Sequence, residues 1–115
     1  MGTPDARSVL AALWRDTGHP EAALDAVALT GAEPVLPSSF AVGTLAQVTV
    51  AATALASAEL WRQRTGRQQN VSVDMRDAAI EFRSDHYLGI DGMPVQDHRD
   101  KIGKACHAVL TSYGQ

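Results

Sequence analysis

An α/β fold dominated by helix is predicted for this chain, and three stretches carry that expectation. Residues 45–64 contain no Gly or Pro and are rich in alanine, as a long helix requires. Residues 70–75 alternate apolar and polar side chains, the pattern of a half-buried strand. Across Met75-Arg76-Asp77 the apolar period changes from 2 to about 3.6, which marks a strand-to-helix junction. The length of 115 residues suits one domain or a fragment of a larger one. Hydrophobic residues make up 45%, enough for a core, but 19 alanines against two Trp, two Tyr and two Phe imply packing by small side chains.

The elements follow in order. Thr3 can cap a first helix, Pro4 fits its first position, and Asp5 suits the positive end of its dipole. Ala6, Val9, Leu10, Leu13 and Trp14 then repeat at helical spacing until Gly18, with Pro20 beyond. A short second helix is expected over 20–27. These parts form an N-terminal helical segment, residues 1–30. From residue 29 to 44 the chain is punctuated by Gly31, Pro34, Pro37, Ser38, Ser39 and Gly43. It reads as a loop with a short extended piece at Val35-Leu36, and residues 31–44 as a linker.

The helix over 45–64 carries Ala51, Ala52, Ala54, Ala56 and Ala58 on every face, so it should be covered on several sides. Arg62 and Arg64 suit its negative end and Gly66 a left-handed cap. In the strand, Val71, Val73 and Met75 share one face. A helix from Asp77 to about Leu88 follows, stopped by Gly89, with Gly92 and Pro94 extending the break. Residues 45–95 thus form a helix-strand-helix core with one clear strand. The tail, residues 96–115, is compatible with a helix over 104–110. A lone strand leaves both edges unpaired. It needs a second strand of this chain, another copy, or a further part of a larger protein.

Composition excludes several functions. A net charge of -3 and a pI near 5.7 give no basic balance for nucleic acid. Residues 1–18 carry Asp5, Arg7, Arg15 and Asp16 and lack the order of a secretory signal. The most apolar stretch, 48–60, is shorter than the roughly 20 residues a bilayer requires. A cytoplasmic protein away from membranes is expected. The single cysteine, Cys106, allows no intramolecular disulfide and reads as an ordinary small apolar residue. Asp85, His86, Asp91, Asp97 and His98 crowd one region without a recognised ligand spacing, so no metal is expected. The sequon Asn70-Val71-Ser72 falls inside the expected strand and reads as chance.

Two features stand out. The turn Arg62-Gln63-Arg64-Thr65-Gly66-Arg67 reads either as a capped, solvated helix end or as a site for phosphate groups, which guanidinium donors hold well. Asp77 reads either as an N-cap or as a carboxylate nucleophile at the carboxyl end of a strand, where α/β proteins place ligands. In both readings main-chain N–H groups at the helix start would face its carboxylate and keep it ionised.

The run Arg64-Thr65-Gly66-Arg67-Gln68-Gln69-Asn70-Val71-Ser72-Val73-Asp74-Met75-Arg76-Asp77-Ala78 resembles the class III CoA-transferases, the CaiB/BaiF or formyl-CoA transferase-like family. That family shows an alanine-rich helix, an R-T-G-R-G-Q turn, a V-D-V-S-like strand and a D-A step, in this order and spacing. The resemblance covers roughly residues 35–93. It implies transfer of coenzyme A from an acyl-CoA to a small carboxylic acid through an aspartyl-CoA intermediate. Asp77 is the implied nucleophile, Arg64 and Arg67 the implied coenzyme A contacts, and a homodimer or a complementing chain the implied assembly. Gln68 stands where the family has its second glycine. The family's opening strand and its coenzyme A-contacting segments have no counterpart here, and residues 1–30 and 104–115 match none of its motifs. The expectation is therefore a fragment of the family fold, too short to act alone. The rival expectation is a non-catalytic helical module for oligomerisation or interaction.

Overall fold

A computed structural model describes residues 4–84, 87 and 89–94. The chain divides into two compact units, one up to Phe82 and one from Arg83 onward.

The first unit opens with helix α1, Ala6–Asp16. It starts later than the sequence suggests. Pro4 precedes the helix, and Asp5 stands at the cap with extended backbone and no side-chain capping bond; Thr3 lies outside the described residues. Ala6, Leu10 and Trp14 form the buried stripe, at the spacing of one helix face. The Trp14 indole N–H donates to the Pro20 carbonyl at 3.0 Å. Arg7 donates to the carbonyls of Val27 at 3.1 Å and Leu24 at 3.2 Å, tying α1 to the segment that follows.

The expected second helix is a 3₁₀ segment, Glu21–Ala26. It runs directly into strand β1, Val27–Thr30. The strand over 70–75 needed a partner, and of the three sources expected for it the first is found: a second strand of this chain. The extended piece is corrected, since it lies at Val27–Thr30 and not at Val35-Leu36. Helix α2, Val42–Thr65, crosses to strand β2, Val71–Asp74. The strands pair in parallel, with Val27 opposite Val71 and Thr30 opposite Asp74. This is a β-α-β unit, and the segments read as 1–30 and 45–95 share its sheet.

The alternation expected in β2 holds. Val27 and Val73 are buried and Leu29 and Val71 half-buried, while Ala28, Thr30 and Ser72 are exposed. One sheet face therefore joins the core with Leu10, Trp14, Ala46, Val48, Ala51, Leu55 and Met75. The other faces solvent.

Helix α2 begins three residues earlier than predicted. Its N-terminus is satisfied from a distance: the Thr44 amide donates to Glu33 Oε1 at 2.6 Å, which meets one of the unpaired donors of the first turn. Its end follows prediction, with Gly66 in the left-handed region and its amide donating to the Arg62 carbonyl at 2.8 Å. Buried Gln47 donates from Nε2 to the carbonyls of Thr30 at 2.7 Å and Val73 at 2.9 Å, so α2 ties both strands near their carboxyl ends.

Helix α3, Met75–Phe82, follows β2 without a loop. It starts before Asp77 and ends before the predicted Leu88, which lies outside the described residues. In the second unit, β3 (Gly89–Ile90) and β4 (Met93–Pro94) form an antiparallel hairpin. Asp91 (φ 54°) and Gly92 (φ 76°) both adopt positive φ, as a two-residue type I′ turn requires. The sequence predicts only a break here, so the hairpin is an addition to the expected fold. Among the described residues no helix is long and apolar enough to cross a membrane.

Candidate active site

Parallel strands bring their carboxyl ends to one side of a sheet, and α/β proteins place ligand chemistry there. In this chain that end holds Thr30, Asp74 and the start of α3. The Thr30 hydroxyl donates to Asp74 Oδ2 at 2.9 Å. Asp74 Oδ1 accepts from the amides of Arg76 at 2.9 Å and Asp77 at 3.4 Å. The Thr30 hydroxyl bond, followed by these main-chain amides, holds the Asp74 carboxyl below the usual carboxylate range, against the opposing effect of burial.

These contacts correct the sequence reading of Asp77. The carboxylate that caps α3 belongs to Asp74. Asp77 sits in the first turn of α3 and is exposed. It contributes its amide to the cap, and its carboxylate takes no hydrogen bond or ion pair among the described residues. Asp74 escaped the sequence reading because the alternation of β2 accounted for it as an outward polar residue. The signal that could have found it is its spacing: an acid immediately before the first helical residue is the preferred N-cap.

A cavity of about 370 Å³ opens beside the carboxyl end of β1, bordered by Leu29, Gly31, Glu33, Thr44, Gln47 and Met75. Asp77 is not part of its lining. Gly31 approaches Met75 closely: a Cβ there would lie 3.0 Å from Met75 Cβ.

Arg64 and Arg67 lie elsewhere. They stand in the last turn of α2 and just after its Gly66 cap, both exposed, before the amino end of β2. Asp77 follows its carboxyl end, so a strand length separates them, roughly 13 Å for four residues. The structure does not gather the three into one site. A larger cavity of about 590 Å³ borders this turn, lined by Glu59, Arg62, Gln68 and Gln69 together with the 3₁₀ segment. Its arginine is Arg62, and that guanidinium is engaged. It donates from Nε and Nη2 to the two oxygens of Glu59 at 2.9 and 2.7 Å. Glu59 is only 6% exposed, and the Arg62 bonds carry its carboxyl down to about 2.

Among the described residues no group of three His, Cys, Asp or Glu could hold a metal ion. Of the acids and histidines crowded near the C-terminus only Asp91 is described, in the hairpin turn. Asp85, His86, Asp97, His98 and Cys106 lie outside the described residues, as does the tail helix expected over 104–110. Compared with known family profiles, with curated proteins and with solved structures, the chain matches none.

Proposed function

We propose that the chain carries the nucleophile of a CoA-transferase and that Asp77 is that nucleophile. One observation supports this above the rest. Asp74 performs the capping that Asp77 was otherwise expected to perform, which leaves the Asp77 carboxylate exposed and uncommitted just past the carboxyl end of a parallel strand.

An ionised carboxylate attacks a thioester carbonyl without a general base. The Asp77 oxygen bonds to the acyl carbon, the C–S bond breaks, and coenzyme A leaves as thiolate from a mixed anhydride. The thiolate then attacks the aspartyl carbonyl and releases the donor acid, leaving an aspartyl-CoA thioester. The acceptor carboxylate attacks that thioester to form a second anhydride. The returning thiolate takes the new acyl group and restores Asp77. Each exchange divides a hard transfer into easier steps. Donors for the oxyanions and exclusion of water would be required. In this reading Arg64 and Arg67 contact coenzyme A phosphates from the α2 end of the sheet. The single cysteine suits a reducing cytoplasm.

The test is incubation with acyl-CoAs followed by hydroxylamine or borohydride trapping and mass mapping. A CoA-dependent product at Asp77, lost in Asp77→Asn, is the expected result. Absence of any product from a panel of acyl-CoAs would overturn the reading.

A second reading, a non-catalytic oligomerisation module, draws on the open sheet. Parallel sheets are ordinarily covered on both faces, whereas Ala28, Thr30 and Ser72 are exposed here. It expects oligomers by light scattering and no rise in melting temperature with acyl-CoA.

A further inference from the structure

We infer that Thr30 and Asp74 act as a positioning pair that sets the direction of the Asp77 side chain, an inference that rests on the reading of Asp77 as nucleophile. Among the described residues the Asp77 side chain has no partner of its own, so the direction in which its Cα–Cβ bond leaves the helix is set by the backbone of the first turn of α3. That turn is held by one carboxylate. Asp74 Oδ1 takes the amides of Arg76 at 2.9 Å and Asp77 at 3.4 Å. A carboxylate on a freely turning side chain would be a poor anchor. Here its second oxygen is taken by the Thr30 hydroxyl at 2.9 Å. Thr30 lies directly opposite Asp74 in the parallel register. The main chain of Thr30 is fixed in turn: its carbonyl accepts from Gln47, a residue 1% exposed. The chain of contacts therefore runs from the interior of α2, through the end of β1, across the sheet to Asp74, and into the amide of Asp77.

Met75 adds a second restraint on the same turn. It is 4% exposed, and Gly31 and Gly43 both lie against it. The first residue of α3 is thus packed from below while Asp74 ties its amides from the front. Thr30 and Asp74 touch no reacting atom in this scheme. They act through Asp77, and an error of about 1 Å in a reacting group costs on the order of 100-fold in rate.

Two measurements separate this inference from the reading beneath it. The first is NMR on the free protein, recording backbone couplings and amide hydrogen exchange at Arg76 and Asp77. The wild type is expected to show helical couplings and slowed exchange at both. Thr30→Val and Asp74→Ala are expected to average the couplings and speed exchange, while Thr30→Ser and Asp74→Asn restore both. The second is the rate of Asp77 trapping with acyl-CoA, expected to fall about 10- to 100-fold in Thr30→Val and to recover in Thr30→Ser. Unchanged couplings and exchange in both disruptive variants overturn the positioning pair. So does an unchanged trapping rate, and that result leaves the nucleophile assignment standing. Averaged backbone couplings in variants of a protein that forms no adduct support the positioning pair and overturn the nucleophile.

Discussion

Gln47 reaches Val73 through the interior: its side-chain amide donates to the Val73 carbonyl at 2.9 Å. The same nitrogen serves the Thr30 carbonyl at 2.7 Å. Gln47→Leu keeps the volume and removes both donors. A buried carbonyl left without a partner costs about 1–3 kcal/mol, and the loss in urea denaturation should fall in that range, because the Thr30 oxygen belongs to an exposed residue and can recover water. Gln47→Glu is expected to be worse at neutral pH, since a carboxylate there would face two carbonyl oxygens.

Replacing a helical glycine by alanine ordinarily stabilises a protein by about 1 kcal/mol. Gly43 in the first turn of α2 should break that rule. A Cβ there would collide with Val35 Cγ2 and come within 2.9 Å of Met75 Cγ and Sδ. Overpacking costs about 1–3 kcal/mol, so Gly43→Ala is expected to lower the denaturation midpoint.

Glu59 is expected to make the fold sensitive to acid. Its carboxyl lies near 2 in the folded chain against an ordinary 4.5. A depressed carboxylate stabilises above its unfolded value and loses that contribution as pH falls through its folded value. Stability should therefore decline between about pH 4.5 and 2, and Glu59→Gln should flatten a pH series of melting temperatures in that window. High salt should weaken the wild-type contribution, because the Arg62 side chain is 46% exposed.

Trp14 is 1% exposed and anchors α1 through its bond to Pro20. Trp14→Ala is expected to cost about 3–5 kcal/mol, a large part of the stability of a small domain. Circular dichroism melting would show it, and a midpoint within a few degrees of wild type would contradict the packing described.

The parts of the fold legible in sequence are those fixed by local chemistry. Gly66 ends α2 because a left-handed residue is needed there, and the Val71, Val73, Met75 face of β2 shows as simple alternation. β1 was not legible. Its four residues, Val-Ala-Leu-Thr, follow a helix-forming stretch, and the apolar Ala28 hides in sequence the alternating burial that the strand shows; their strand character comes from pairing with β2. The hairpin turn carries a local signal, Asp91-Gly92, whose positive φ values suit a two-residue turn, but strands of two residues on either side are too short to show a period. At the candidate site the sequence pointed to Asp77 but gave it the cap that Asp74 provides. Two aspartates three residues apart compete for one position; the choice follows from where α3 starts, at Met75, and the partner that holds the chosen carboxylate, Thr30, lies 44 residues away in sequence.

That separation has a consequence for how the protein is made. β1 leaves the ribosome long before its neighbour exists, and a 24-residue helix must be translated in between. Closing so long a loop loses chain entropy before any sheet bond is gained. The nascent chain is therefore expected to carry an early helical stage, with the sheet zipping late and in one step once Asp74 has emerged.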